Sequence, residues 1–381
     1  MGRVRIASLA VGFLAAWTSR GGADVCAYVA NSGADSVSVI DAGTNTVRAT
    51  IPVGETPRAI VLTPDATRAY VANGHSRTLS LIDTATNTVR ATFPAGRDPR
   101  DLGLTSDGTR IYVTNGSSDA VAVIDTATQM FVGADIGVGN APRGIALTPD
   151  GGRAYVTSVV DDEIAVIDTV SNTAFATIAV GSGPTDVAIT PDGTQAYVTN
   201  GNAVSIIDVR TNSVVRDLRI GNSPRDVAIA PDGLRAYATN DQALFVIDTT
   251  PQSIDTSILI TSPTAVAVTP DSRRVYVGSG NAVVVLDATA HVIVPEIPVG
   301  DTPVSIAIAD VPTGCGAARC GGDCTGDGAV TVDEILTSVS IALGHQPVSA
   351  CLAGDLNHDG DIAIDEILAA VRAALDGCVP S

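Results

Sequence analysis

The sequence lacks lysine altogether, so all 22 of its Lys and Arg positions are arginine. Against 41 acidic residues these arginines leave a formal net charge of −19. A chain this acidic is repelled by nucleic-acid phosphates and by anionic membrane surfaces, so we expect no nucleic acid as a partner. The one tryptophan, Trp17, lies near the amino terminus. The rest of the chain therefore offers no indole platform on which a sugar or a quinone could stack.

The sequence also lacks an apolar run of the roughly 20 residues that a transmembrane helix needs, so no membrane span is predicted. The apolar stretch at residues 7–16 follows Arg3 and Arg5 and precedes the small residues around Ala23. This order is typical of an export signal, with a membrane anchor as the alternative. We therefore predict a signal peptide over residues 1–23. A secreted, extracellular or cell-envelope location follows, where the six cysteines can pair.

Catalytic motifs are missing as well. The sequence contains no G-x-S-x-G, no H-E-x-x-H, no haem-attachment motif and no nucleotide-binding loop, and its four histidines are scattered. Neither a nucleophile beside a base nor a His/acid metal cluster can be assigned from it. We therefore predict no catalytic residues.

What the chain does have is a repeat, marked by its tyrosines. The gaps between successive tyrosines are 42, 42, 43, 42, 40 and 39 residues. The tyrosines are Tyr28, Tyr70, Tyr112, Tyr155, Tyr197, Tyr237 and Tyr276. Each lies in a short apolar run, followed by a polar turn and a second apolar run that ends in Asp. A fixed period of about 40 residues made of short strands and turns is typical of a β-propeller.

One period shows how a blade is built. Residues 145–148, 154–157, 163–167 and 174–180 read as four strands separated by turn-forming residues. The chain after the signal begins on a second strand, and residues 303–309 supply the missing innermost strand. We predict an all-β, seven-bladed propeller over residues 24–310, closed by pairing of its first and last strands. This closure removes the open sheet edge.

Two cysteines lie at the predicted closure. Cys26 and Cys315 stand where the missing hairpin turn of the composite blade would be. We predict a disulfide between them, among the 15 pairings that six cysteines allow.

The turns that enter the innermost strands ring the mouth of a propeller's central channel. Four of these turns carry an arginine after a proline, and three carry an aspartate at the next position. These candidate ligand-binding residues are Arg58, Arg100, Arg143 and Arg225, with Asp101, Asp186 and Asp226. Clustered guanidinium groups bind carboxylates and other anions bidentately. The alternative is that Arg and Asp of adjacent blades pair and hold the ring together.

The repeated tetrapeptides resemble a known family. The segments YVAN, YVAN, YVTN, YVTS, YVTN, YATN and YVGS, each followed by a VSVID-like strand, are similar to the YVTN family of β-propeller repeats. The resemblance covers roughly residues 25–310. It implies a seven-bladed propeller of the kind found in surface-layer and other extracellular microbial proteins, and only loosely a role in binding or adhesion.

The composition changes after residue 310. A linker over residues 311–319 leads into a module over residues 320–381 that contains two acidic loops, each followed by an apolar run at residues 335–343 and 367–375. Both loops have the ligand spacing of an EF-hand, with glycine at the sixth position. The predicted ligands are Asp323, Thr325, Asp327, Ala329 (through its carbonyl), Thr331 and Glu334, then Asp355, Asn357, Asp359, Asp361 and Glu366. Two calcium ions are therefore predicted.

The paired loops resemble a dockerin, the module by which secreted polysaccharide-degrading enzymes attach to cohesin scaffolds. The resemblance implies calcium binding and a cohesin-like receptor. The chain departs from that family in its Glu at position 12, in the residues at the usual Ser/Thr recognition pair and in four added cysteines. We predict the pairs Cys320–Cys378 and Cys324–Cys351, with a zinc site as the alternative.

Together these features predict a secreted or cell-envelope binding or display protein with a protein or cell-surface partner. The propeller would be the interaction scaffold and the calcium-stabilised module would attach it. The alternatives are a propeller enzyme, lactonase-like or quinoprotein-like, or a dockerin-bearing component of polysaccharide degradation.

Overall fold

The structure is a computed structural model that describes residues 24–312, 314–315 and 332–343 and the single positions 362, 367, 368 and 371. The predicted signal peptide and the four cysteines of the carboxyl-terminal module lie outside these residues. Both calcium loops do so too, except for the backbone of residues 332–334 and for residue 362.

Seven antiparallel sheets account for all the strands of the described residues. Blade 1 contains β1 (Asp24–Asn31), β2 (Ser36–Asp41) and β3 (Thr46–Pro52). Blade 2 contains β4 (Pro57–Leu62), β5 (Arg68–Asn73), β6 (Thr78–Asp83) and β7 (Thr88–Pro94). Blade 3 contains β8 (Pro99–Leu104), β9 (Arg110–Asn115), β10 (Ala120–Asp125), β11 (Met130–Phe131) and β12 (Ile136–Gly137). Blade 4 contains β13 (Pro142–Leu147), β14 (Arg153–Ser158), β15 (Glu163–Asp168) and β16 (Thr173–Ala179).

The remaining blades follow the same order. Blade 5 contains β17 (Asp186–Ile189), β18 (Gln195–Asn200), β19 (Ala203–Asp208) and β20 (Ser213–Arg219). Blade 6 contains β21 (Val227–Ile229), β22 (Arg235–Thr239), β23 (Ala243–Asp248) and β24 (Ser253–Leu259). Blade 7 contains β25 (Pro263–Val268), β26 (Arg274–Ser279), β27 (Ala282–Asp287) and β28 (Ile293–Pro298). The last strand, β29 (Pro303–Val311), returns to blade 1. The predicted all-β, seven-bladed propeller is confirmed.

The blades pack through the two central strands of each sheet. In β2 the first five residues are all buried, on both faces, because a neighbouring blade covers each side of the sheet. All seven tyrosines are at most 1% exposed, which makes them the largest side chains of the inter-blade cores. The aspartates that recur in every blade cap the turns. The carboxylate of Asp107, for example, accepts the Thr105 hydroxyl at 2.6 Å and the Thr109 amide at 3.0 Å.

The ring closes as predicted. Strand β29 pairs antiparallel with β1, from Asp24 opposite Val311 to Asn31 opposite Pro303. The predicted disulfide between Cys26 and Cys315 is present, with both cysteines buried and separated by 289 residues of sequence. Innermost strands of neighbouring blades contact one another all the way round, including β29 against β4 and β25 against β29.

A polar link between the tyrosines and the next blade recurs around the ring. The hydroxyl of Tyr155 donates to the Asn212 side-chain oxygen at 2.7 Å, and Tyr112 does the same to Asn172 at 2.7 Å. Tyr28 reaches Asn87 at 2.9 Å and Tyr276 reaches Asn45 at 3.0 Å. The four asparagines occupy the same turn after the third strand and all have positive φ, from 51° to 54°. Asparagine tolerates this left-handed conformation better than most residues.

Blade 3 departs from the common plan in two ways. Its turn position holds Gln129, at φ 60°, where blades 1, 2, 4 and 5 have asparagine. Its outer strand is split into β11 and β12, and Gly133 between them has a φ of 71° that favours glycine. Met130 and Phe131 are correspondingly exposed.

The carboxyl-terminal module is described only in part. One helix, α1 (Val332–Ala342), starts three residues before the predicted apolar run. Ile341 and Ile362 are buried together, and Ile367 packs against them. A paired EF-hand domain is not evident in the described residues. No helix within them is long and apolar enough to cross a membrane.

Candidate functional site: the mouth of the central channel

The turns that lead into the innermost strands share one backbone feature. The residue just before the proline has positive φ, for example Thr56 at 55° and Ala141 at 52°. An aspartate of the preceding blade holds this turn in three cases. Asp35 accepts the Thr56 amide at 2.7 Å, and Asp119 accepts the Ala141 amide at 2.9 Å. Asp162 accepts the Gly183 amide at 2.7 Å. These acids therefore join adjacent blades at the mouth through backbone amides.

The four predicted arginines do not share one environment. Arg58 and Arg100 lie against a single carboxylate, that of Asp98. Arg100 donates its Nε and its terminal nitrogen to Asp98 at 2.8 and 2.7 Å, whereas Arg58 lies 3.5 Å away. Burial lowers the pKa of Arg58, and repulsion from Arg100 and Arg143 lowers it further against the opposing charge of Asp98. Its buried Nε has no hydrogen-bond partner among the described residues.

Two glycines leave the space in which the side chains of Arg58 and Arg100 lie. A Cβ added to Gly74 would overlap the Arg58 Nε, and one added to Gly116 would come 2.9 Å from the Arg100 Nε. Each arginine thus folds back over a glycine of its own blade. At the equivalent position blade 4 has Val159 and blade 6 has Asp241.

Arg143 and Arg225 are the two exposed arginines of the mouth. Within the described residues neither guanidinium lies within 4.0 Å of a carboxylate oxygen. The mouth therefore carries four guanidinium groups, of which two share one carboxylate and two face solvent without an ion pair. Guanidinium groups in this state offer both nitrogen donors to a planar anion.

The three predicted aspartates lie inside the channel and interact with one another. They belong to blades 3, 5 and 6, and Gly144 of blade 4, which has no side chain, lies between the first two. Repulsion between Asp101 and Asp186 adds to burial in raising the pKa of Asp101 to about 7. Asp186 and Asp226 share a hydrogen bond, and burial raises the pKa of both. The three residues are half-buried, with part of their surface still accessible. Like charges packed this closely in a narrow channel cannot all ionise.

Each of these aspartates also binds the backbone of the next blade. Asp101 accepts the Ile145 amide at 2.8 Å, Asp186 accepts the Val227 amide at 3.0 Å, and Asp226 accepts the Val266 amide at 2.6 Å. Ser305 plays this part in blade 1, where its hydroxyl accepts the Ile60 amide at 3.2 Å. A glycine stands at the equivalent place in blade 4. A Cβ on Gly144 would come 2.7 Å from the Asp186 Cα.

The sequence left open whether Arg and Asp of adjacent blades pair. In the structure Asp98, which precedes the proline, pairs with an arginine of its own blade and with one of the blade before. Sequence reasoning missed Asp98, although the acid in its RDPRD segment was the available signal. No group of three or more His, Cys, Asp or Glu side chains within the described residues is arranged to hold a metal ion.

Comparison with known proteins agrees with this architecture. A family model described as a YNCE-like beta-propeller matches residues 6–108. The chain is a β-propeller protein. No curated protein matches it.

Two solved structures share the fold. One is hydrazine synthase from Kuenenia stuttgartiensis, at a TM-score of 0.64 and 23% identity, covering 68% of this chain and 90% of that chain. The other is a functionally unknown protein from Desulfotomaculum acetoxidans, at a TM-score of 0.68 and 17% identity, covering 75% of this chain and 99% of that chain. At these identities the likeness concerns the fold alone.

Proposed function

We propose that this propeller is a secreted or cell-envelope binding protein whose channel mouth holds an anionic ligand, most simply a carboxylate. The observation that carries the proposal is the uneven charge of the mouth. Arg143 and Arg225 are exposed without an ion pair, while Arg58 and Arg100 share Asp98. A binding site needs unequal blades, and only four of the seven blades carry an arginine after the proline of this turn.

The carboxylates beneath the mouth do not cancel these arginines. Asp101, Asp186 and Asp226 each have a raised pKa, so protons neutralise part of the group near pH 7. Their remaining oxygens are directed to backbone amides of neighbouring blades. Partial neutralisation of this group leaves Arg143 and Arg225 available to an external anion.

The experiment is a calorimetric titration of the protein with citrate as the anionic probe. Replacing Arg143 or Arg225 by alanine removes a charge-assisted hydrogen-bond pair, which corresponds to about a 10- to 100-fold loss of affinity. The matched control is Arg90→Ala, which makes the same change of charge on the outer strand β7, where Arg90 pairs with Asp83 at 2.6 Å. Equal affinities for the Arg143 and Arg90 variants would exclude the mouth as the anion site.

The enzyme alternatives differ in what happens to the ligand. A lactonase-like or quinoprotein-like propeller would convert its substrate, whereas a binding protein returns it unchanged. Proton NMR of the ligand during long incubation separates the two, because turnover produces new ligand resonances that disappear in the Arg143→Ala variant.

We further propose that the carboxyl-terminal module binds two calcium ions and attaches the propeller to a protein or cell-surface partner, with a cohesin-like receptor as one candidate. Two features support this proposal: the paired loop spacing and the small core around Ile341 and Ile362. Ile362 is the eighth residue of the second predicted loop, directly after the position that offers a carbonyl to calcium. Calcium would neutralise the clustered carboxylates, so its binding and the folding of the module are coupled. A pull-down from envelope extract with and without calcium tests the attachment.

A further inference from the structure

The junction between blades 2 and 3 lacks the polar link that recurs elsewhere in the ring. Tyr70 is fully buried, and within the described residues its oxygen is the only fully buried tyrosine oxygen without a hydrogen-bond partner of normal geometry. The cause lies in the facing turn, where Gln129 replaces the asparagine that receives the tyrosine hydroxyl in four other junctions. In blade 5, which also faces a glutamine, Tyr197 bonds instead to Gln195 of its own strand at 3.2 Å.

The arginine two residues before the tyrosine shows the same difference. In blades 4, 6 and 7 this arginine donates to the carbonyl that follows the third strand of the next blade; the pairs are Arg153 with Val209, Arg235 with Ala288, and Arg274 with Ala42. The equivalent carbonyl for Arg68 belongs to Thr126, and no such bond forms. Arg68 is exposed and lies beside the Tyr70 hydroxyl. Burial raises the pKa of Tyr70, and the nearby guanidinium of Arg68 opposes part of that rise.

A cavity of about 320 Å³ opens where these two links are missing. Its walls include Arg68, Tyr70 and Thr126, together with the turn aspartates Asp65 and Asp107. One oxygen of each aspartate is held by threonines of its own turn, and these hydrogen bonds lower the pKa of both carboxyls, to about 2 for Asp107. Both are therefore ionised at neutral pH, and the second oxygen of each accepts no hydrogen bond among the described residues.

We propose that this cavity is a binding site for a small zwitterion of the α-amino acid type. The guanidinium of Arg68 and the unpaired hydroxyl of Tyr70 match a carboxylate, because both are donors without an acceptor in the next blade. The two free aspartate oxygens match an ammonium group. The volume of the cavity lies at the lower end of the range for ligand pockets, which suits a small amino acid.

The test uses the full-length protein with L-alanine as the probe and ligand-observed NMR as the readout. Saturable binding is expected, with ethylamine and propionate, which each carry one of the two charges, bound at least tenfold more weakly. An equally tight complex with either single-charge probe would overturn the zwitterion assignment, as would an absence of saturable alanine binding.

The most discriminating variant is Gln129→Asn. It restores the asparagine that four other junctions use, so the Tyr70 hydroxyl gains its missing partner and is no longer free to bind a ligand. Alanine affinity is expected to fall at least tenfold while the thermal midpoint of unfolding rises, a combination that misfolding cannot produce. Unchanged affinity in this variant would refute the proposal.

Two further variants locate the effect. Tyr70→Phe removes the unpaired hydroxyl and should weaken alanine binding several-fold with little change in stability. Tyr112→Phe makes the same change at the next junction, where the hydroxyl is already bonded to Asn172, and should lower stability without changing affinity. Arg143→Ala at the channel mouth should also leave alanine binding intact. The result at this cavity therefore does not depend on whether the channel mouth binds an anion. The reverse pattern for the two tyrosine variants would contradict the assignment.

Discussion

Removal of the disulfide that closes the ring gives the largest predicted change in stability. The bond joins Cys26 and Cys315 across 289 residues, and strand pairing of β1 with β29 is the other contact that closes blade 1. In the chain-entropy description a cross-link stabilises the fold by restricting the unfolded chain, and a loop of this length corresponds to about 5–6 kcal/mol. Strain and residual structure reduce such figures in practice, so we expect a loss of at least about 2 kcal/mol.

The assay is equilibrium unfolding in guanidinium chloride, followed by far-UV circular dichroism, of the protein and of the Cys26→Ala/Cys315→Ala variant. With a denaturant slope of about 5 kcal/mol per molar, the full effect lowers the midpoint by about 1 M. Reduced wild-type protein is the control, since it keeps both side chains but not the bond. A difference below about 1 kcal/mol between oxidised protein and variant would refute the reasoning.

Three further predictions concern other contacts. Because burial and Asp186 raise the pKa of Asp101 to about 7, its folded form retains a proton that the unfolded chain releases near pH 4. Its contribution, about 2–4 kcal/mol, is therefore present below pH 4 and lost as the pH rises through 7. Asp101→Asn should flatten the decline in unfolding free energy between pH 4 and 7, and an unchanged slope argues against this role. Asn172→Gln should lower the free energy of unfolding by about 1–2 kcal/mol, because Tyr112 loses its 2.7 Å partner; no loss in denaturant titrations would contradict the role given to this link. Chelation of calcium should expose residues 320–378 to protease while the propeller stays resistant, and protection of both parts in chelator would exclude calcium-dependent folding.

The repeat made most of the fold predictable from sequence. A tyrosine at nearly constant spacing identifies the second strand of every blade, and the missing first strand places β29 beside β1. From that pairing the disulfide follows, since Cys26 and Cys315 then meet at one end of the composite blade. These features depend on order along the chain, which a sequence displays directly.

The site was predictable only in part, because its chemistry depends on which blades face each other. The sequence identified Arg143 and Arg225 but gave no means of separating them from Arg58 and Arg100, whose charge Asp98 balances. Repulsion among Asp101, Asp186 and Asp226 arises between blades, from positions 40 or more residues apart in the sequence. The unpaired hydroxyl of Tyr70 depends on Gln129 of the following blade, which stands where four other blades have asparagine. The effect of this glutamine can be recognised only once the tyrosine–asparagine link is known.

The central claim is that the channel mouth binds an anion through its unpaired arginines. A crystal of the protein grown with bromosuccinate tests this most directly, because the anomalous signal of bromine locates the ligand without assumptions. The account predicts a bromine peak at the mouth, with the ligand's carboxylates in contact with Arg143 or Arg225. A peak elsewhere on the propeller, with none at the mouth, would contradict it.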